Sequence, residues 1–220
     1  MIELFGLDLN QLPDRRTLAK LLDEGMYASW RERHKSVRDE LAARASLGGI
    51  LLLQKMGCRG ELLYDANGRP FFADSDFDFN ITHTDGMVVG AIEMPCHGAP
   101  ESELPCRVGV DAEILSRIAS VRICPLAARW FTAAEHELFL AVPTDETFLR
   151  IWTRKEALIK WLGEGLRAMR RADTVTAREN YGVEFSEYRV GDTLIALCHR
   201  IGSTPPESLH MLTGSDLFDL

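Results

Sequence analysis

No stretch of this 220-residue chain stays apolar for the roughly 20 residues that a helix needs to cross a bilayer. The first residues, Met1-Ile-Glu-Leu-Phe-Gly-Leu-Asp-Leu9, lack a basic lead and alternate in polarity, so they read as a strand and not as a signal peptide. Cysteine is sparse: Cys58, Cys96, Cys106, Cys124 and Cys198 are odd in number and form no CxxC pair. That pattern excludes a disulfide framework and a zinc site, and points to reduced thiols in a cytoplasmic protein. Positive charge is short as well. The 25 Lys and Arg face 33 Asp and Glu, and a net charge of −8 argues against a general nucleic-acid binder. No sequence repeat is present. What remains is an ordinary globular composition, long enough for one large domain or two small ones.

The chain is organised around Phe148 to Leu166. Asp145 to Leu162 is rich in helix formers without internal Gly or Pro, and Gly163 and Gly165 stand where a helix stops. On that helix Trp152, Glu156 and Lys160 recur every four residues and share a face, with Lys155 on its flank. Leu149, Leu158, Ile159 and Leu162 supply the docking surface. Read alone, Glu156 and Lys160 make a surface pair worth roughly a few tenths of a kcal/mol. Upstream, Arg107-Val-Gly-Val-Asp-Ala-Glu-Ile-Leu115 reads as a strand, whose period of two puts Asp111 and Glu113 on one side and Ala112 on the other. Adjacent carboxylates repel unless hydrated or bridged by a cation. An exposed strand end and a hard divalent-cation site both satisfy the pattern.

The flanking segments are taken in order. Leu12 to Leu22 predicts a short helix capped by Asp14. Trp30 to Met56 predicts a longer one, basic first (Arg31, Arg33, His34, Lys35, Arg38, Arg44) and apolar from Leu47 to Leu53. Gly48-Gly49 inside it requires a closely packed neighbour. The basic half is a solvated face or a phosphate site. Glu61 to Phe72 predicts a hairpin turning at Asn67-Gly68, both at positive φ, with Arg69-Pro70 at its mouth. Phe77 to Thr84 and Met87 to Ile92 predict strands joined by Asp85-Gly86, and His83 at the strand end suits a structural role as well as a catalytic one. Pro95 to Pro105 predicts a loop, the expected seam between domains spanning 1–104 and 105–220. Ile114 to Ala134 holds no acid but three arginines, Arg117, Arg122 and Arg129, either simply solvated or facing an acidic partner. Thr132-Ala-Ala-Glu135 is a capping box, which gives Glu135 a structural reason. Arg167, Arg170 and Arg171 form a second basic patch. Gly182 to Arg200 predicts another hairpin, turning at Gly191-Asp192. Each half thus has a helix feeding a hairpin, which hints at structural duplication.

Three motifs stand in fixed order: Phe79-Asn-Ile-Thr-His-Thr84, Val108-Gly-Val-Asp-Ala-Glu113, and Trp152-Thr-Arg-Lys-Glu-Ala-Leu-Ile-Lys160 with Gly163-Glu-Gly-Leu166. Arg44 with Leu47-Gly48, Gly68-Arg-Pro70 and Arg129-Trp-Phe-Thr-Ala-Ala-Glu135 extend them. Over residues 44 to 166 this ordered set resembles the 4′-phosphopantetheinyl transferases, specifically the larger single-chain, surfactin-synthetase-activating type. The resemblance implies an α+β fold of two similar α+β halves, a pseudo-dimer with the site in the cleft between them. It implies that a serine of an apo acyl or peptidyl carrier protein attacks the diphosphate of coenzyme A, with Mg²⁺ present, and releases adenosine 3′,5′-bisphosphate. Asp111, Glu113 and Glu156 would be the metal ligands. Glu156 would be the base, Lys160 the stabiliser of the leaving phosphate and His83 a further catalytic contact. Arg44, Arg69, Pro70, Thr82, His83, Lys155 and Lys160 would surround coenzyme A, joined by Arg31, Arg33 or Lys35. A monomer free of nucleic acid and membrane is expected. Three departures stand out: Arg69-Pro70 replaces the usual Lys-Pro, residues 31–35 do not align with the usual basic set, and Ala112 offers no ligand. A catalytically silent coenzyme A-binding module and a Mg²⁺-dependent nucleotide phosphohydrolase are the alternatives.

Overall fold

The computed structural model describes residues 1–33, 39–73, 75–95, 106–118, 122–213 and 216. In chain order the elements are β1 (Ile2–Asp8), α1 (Arg15–Leu21), α2 (Glu24–Arg33), α3 (Glu40–Lys55), β2 (Leu62–Tyr64), β3 (Pro70–Phe72), β4 (Asp78–Thr84), β5 (Met87–Glu93), β6 (Gly109–Ile114), α4 (Leu115–Ile118), α5 (Ile123–Trp130), α6 (Ala133–Ala141), α7 (Asp145–Leu162), α8 (Ala177–Tyr181), β7 (Val183–Val190), β8 (Thr193–Arg200) and β9 (His210–Leu212). The expected mixed α+β class is what forms. One sheet runs β4-β5-β1-β9 and another β6-β8-β7, with β2-β3 as a separate ribbon.

Alternation along the strands sorts their side chains into layers. Ile2 and Leu4 of β1 and Val89 and Ala91 of β5 pack with Val110 and Ala112 of β6 and Ile195 and Leu197 of β8. This apolar seam joins the two sheets, and each fully buried Val or Leu in it contributes about 1.5–3 kcal/mol. Leu47 and Leu51 of α3 pack with Phe79, Val88 and Ile92 of the first sheet. Ala157 and Leu158 of α7 pack with Ala196 and Cys198 of the second. Since Val110 and Ala112 face the seam, Asp111 and Glu113 take the side toward α7.

Local signals worked where they were self-contained. Asp14 caps α1, its carboxylate accepting the amides of Arg16 and Thr17, and Thr132 and Glu135 form the complete capping box of α6. Gly48 packs closely: a Cβ there would lie 3.0 Å from Leu12 Cδ1 and 3.2 Å from Leu9 Cδ2. The hairpins turn at Asp85-Gly86 and Gly191-Asp192, pairing Thr84 with Met87 and Val190 with Thr193.

Two expectations need correction. The helix expected over Trp30 to Met56 is two helices: α2 starts earlier, at Glu24, and α3 begins anew at Glu40. Asp39 caps that second start, accepting the amides of Leu41 and Ala42 at 2.9 and 3.1 Å. Between β2 and β3, Gly68 has positive φ and Asn67 does not, so the turn is longer than a two-residue one; Tyr64 pairs with Pro70. The tail adds β9 parallel to β1, so residues 210–212 complete a sheet built otherwise from the first 93 residues. The expected seam at 95–105 falls, from residue 96 onward, outside the described residues. Among the described residues no helix is long and apolar enough to cross a membrane.

Candidate active site

β6 has β8 on one edge. On the other, β4 offers side chains in place of a backbone ladder. Asp78 accepts the amide of Val108 at 2.8 Å and Asn80 Oδ1 that of Val110 at 2.9 Å. Thr82 Oγ1 donates to Asp111 Oδ1 at 3.0 Å. Residues 78, 80 and 82 share one strand face, so two polar side chains satisfy backbone amides of the neighbouring chain and the third reaches its carboxylate. α7 crosses β6 closely because Gly109 has no side chain; a Cβ there would collide with the Ala157 carbonyl and the Trp161 amide. Two residues further on, Asp111 therefore reaches α7.

Lys160 closes the joint. Its Nζ donates to Asp111 Oδ1 at 2.7 Å, Thr82 Oγ1 at 2.9 Å and the Val110 carbonyl at 3.0 Å. An ammonium has three donors, and this geometry uses all of them. Asp111 Oδ2 is buried without a hydrogen-bond partner. Glu113 is pushed up to about 7, by burial first and then by the carboxylates of Asp111 and Glu156. Burial and then Asp111 also raise Glu156. Three carboxylates thus share one field with a single ammonium, and the cluster is short of positive charge. They are not assembled round one point: among the described residues, no group of three or more His, Cys, Asp or Glu side chains is arranged to hold a metal ion. The hard oxygen donors and the orphaned Oδ2 still fit a hard dication.

Glu156 and Lys160 line a groove of about 280 Å³ together with Asn80, Ile81, Arg69 and Pro70. Of the residues expected around coenzyme A, these bring Arg69, Pro70 and Lys160 to one place, with Thr82 behind Lys160. Arg69 is a brace: it donates to Asp78 at 2.6 Å, to the carbonyls of Phe79 and Val108, and to that of Lys160. His83 lies on the strand face opposite Thr82 and is exposed. Desolvation, then the charge of Lys160, lower its pKa, so it is neutral at pH 7. Arg33 stacks 4.0 Å from the Tyr64 ring, and its Nη2 lies beside Gly68 at the groove's edge. Lys35 is outside the described residues.

One expected contact is overturned. Lys155 has no exposed side-chain surface. Its Nζ donates to Glu135 Oε2 at 2.6 Å and to the Ala172 carbonyl, so it has no face for a phosphate. Arg44 donates to the carbonyls of Leu9 and Leu12 at 3.2 and 2.7 Å, pinning the turn after β1. Sequence reasoning missed Asn80, Asn67 and Arg107. Only Asn80 left a trace, two residues before Thr82 on the same strand face. Asn67 and Arg107 bond residues 96 and 54 or more positions away.

Residues 107–205 match the profile of the 4′-phosphopantetheinyl transferase superfamily. The chain is similar to the 4′-phosphopantetheinyl transferase HetI of Nostoc sp., 28% identical over 130 residues, 56% of this chain and 49% of that protein. It is 26% identical over 179 residues to the transferase psf-1 of Bacillus pumilus, 75% of this chain and 70% of that one. To the transferase gsp of Aneurinibacillus migulanus it is 33% identical over 144 residues, 61% and 53% of the two chains. The chain thus spans about half the length of HetI and gsp. The matched segment carries Asp111, Glu113, Glu156 and Lys160, all on β6 and α7.

Proposed function

We propose that the chain is a 4′-phosphopantetheinyl transferase, the superfamily whose profile residues 107–205 match, and that it moves the phosphopantetheine arm of coenzyme A onto a serine of an apo acyl or peptidyl carrier protein. The observation that carries this reading is the joint of Lys160, Asp111 and Thr82, where α7, β6 and β4 meet at the groove. It puts one cation and three carboxylates at the junction of the two sheets, beside a space for substrate.

Phosphoryl transfer asks the protein for charge neutralisation and in-line placement. The serine oxygen forms a bond to the phosphorus bearing the pantetheine. The bond from that phosphorus to the bridging oxygen breaks, and adenosine 3′,5′-bisphosphate departs. Glu156 takes the serine proton; burial and Asp111 raise its pKa, which makes it a stronger base than an ordinary carboxylate. Lys160, its ammonium held by Asp111 and Thr82, stabilises the leaving phosphate. Asp111, Glu113 and Glu156 would hold Mg²⁺, which supplies neutralisation of the diphosphate oxygens. Arg33 and neutral His83 remain available to phosphate oxygens at the rim.

Mass spectrometry of a panel of apo carriers incubated with coenzyme A and Mg²⁺ tests the reading. Wild type adds the phosphopantetheine mass to at least one carrier; Glu156→Gln lowers that rate at least a hundredfold. Release of the bisphosphate without any carrier would favour a phosphohydrolase. The arginines of the acid-free segment support docking of an acidic carrier. Arg117 pairs with Asp85 at 3.2 Å, both well exposed, next to His83. Reversing Arg117 and Arg122 to Glu is expected to raise KM for the carrier and leave that for coenzyme A unchanged; equal changes in both would count against it.

A further inference from the structure

A helix leaves its last carbonyls without intrahelical partners, and they carry the negative end of its dipole. At the end of α7 the Gly163 amide serves the carbonyls of Ile159 and Lys160, and side chains from outside the helix meet those of Lys160, Trp161, Leu162 and Gly163. Arg69 Nη1 donates to the carbonyl of Lys160. Arg107 Nε donates to that of Trp161, and its Nη2 to that of Leu162 at 2.7 Å. Asn67 Nδ2 donates to that of Gly163 at 2.8 Å. The clasp also closes in reverse: the Trp161 indole donates to the Arg107 carbonyl at 2.9 Å, and the guanidinium stands 5.5 Å from the ring centroid. Gly163, at φ 71°, makes room, since a Cβ there would run into Arg107 Nη2.

Arg107 leads directly into β6, four residues before Asp111. The group that grips the helix end and the carboxylate that Lys160 must meet are therefore fixed to one short run of chain. The same helix end forms a wall of the groove, through Lys160, Gly163 and Leu166. A helix C-terminus repels anions; the guanidinium groups of Arg69 and Arg107 on these carbonyls offset that negative end.

We infer that Arg107 is a positioning residue: it keeps Lys160 and Glu156 in register with Asp111, and it makes the helix-end wall receptive to the phosphates of coenzyme A. The inference rests on the transferase reading above.

The test compares wild type with Arg107→Met and Arg107→Lys. It measures calorimetric affinity for coenzyme A, KM for each substrate, melting temperature, and hydrogen exchange of the amides of residues 159–163. Arg107→Met is expected to weaken coenzyme A binding at least tenfold, leave KM for the carrier within twofold, and speed exchange in the last turn of α7. Arg107→Lys, which keeps the charge but loses the fork, is expected to recover most of the affinity while exchange stays fast. Coenzyme A affinity within twofold of wild type in Arg107→Met overturns the inference. So does a fall in melting temperature with equal rises in both KM values, the result of a merely structural role. Binding and exchange are read without carrier, so they decide this point separately; failure of wild type to load any carrier would instead remove the transferase reading.

Discussion

Lys155 and Glu135 offer the sharpest test of how the site is built, because the sequence assigned Lys155 to a phosphate and the fold gives it to a buried carboxylate. Neither side chain has exposed surface. Glu135 Oε1 accepts the amide and hydroxyl of Thr174, both at 2.9 Å, while Oε2 accepts Lys155 and the amide of Thr132. The pair therefore ties α6, α7 and the chain after the 3-10 turn at Gly165–Ala168 into one unit. Removing one member leaves the other as an uncompensated charge in an apolar interior, at a cost of about 3–5 kcal/mol. For a chain of this length each kcal/mol moves the melting temperature by about 2–4 °C, so Lys155→Met is expected to melt roughly 6–20 °C below wild type. The double variant Glu135→Leu/Lys155→Met leaves no lone charge. It is expected to lose clearly less than the two single losses added together, although the Thr174 amide then lacks its acceptor, at about 1–3 kcal/mol. Urea denaturation of the four proteins gives the coupling energy, and calorimetry with coenzyme A completes the comparison. A Lys155→Met protein that melts like wild type but no longer binds coenzyme A would refute the argument and restore the phosphate role.

Two further outcomes follow from the same geometry. Gly109→Ala is expected to push α7 off β6, cost about 1–3 kcal/mol or more, and break the Lys160–Asp111 contact; a native melting curve with full carrier loading would contradict this. Glu113, raised from 4.5 to about 7, binds its proton more tightly folded than unfolded. Its contribution is therefore fully present below pH 4.5 and lost as pH rises through 7. Glu113→Gln should accordingly melt like wild type near pH 4.5 and above it at pH 8 in a chelator, and millimolar Mg²⁺ should narrow the gap at pH 8. A gap that stays constant with pH would rule out the buried, repelled carboxylate.

The sequence exposed the parts of the site that depend on near neighbours. A helix from Asp145 with glycine stops, a strand placing Asp111 and Glu113 together, and the caps at Asp14 and Thr132 are consequences of periods and of donors a few residues away. Pairing across the chain left no such trace. Lys155 sits one position from Glu156 and reads as the flank of its face, but the helix turns it about 100° away, into the packing against α6. Arg69 and Arg44 also donate to main-chain carbonyls far along the chain, a bracing task that their sequence neighbourhoods do not reveal. The Asp39 cap that restarts α3 was legible and was overlooked in favour of a continuous basic run.

By itself, then, the sequence determined the mixed class and the place of α7, β4, β5, β6 and the β7–β8 hairpin, since helix and strand periods and motif spacing are local properties. The tertiary structure alone decided which cations face the groove and which hold the frame. A charged side chain's role depends on whether its head reaches solvent or a buried acceptor, and that is settled only when α6, α7 and the two sheets are packed together.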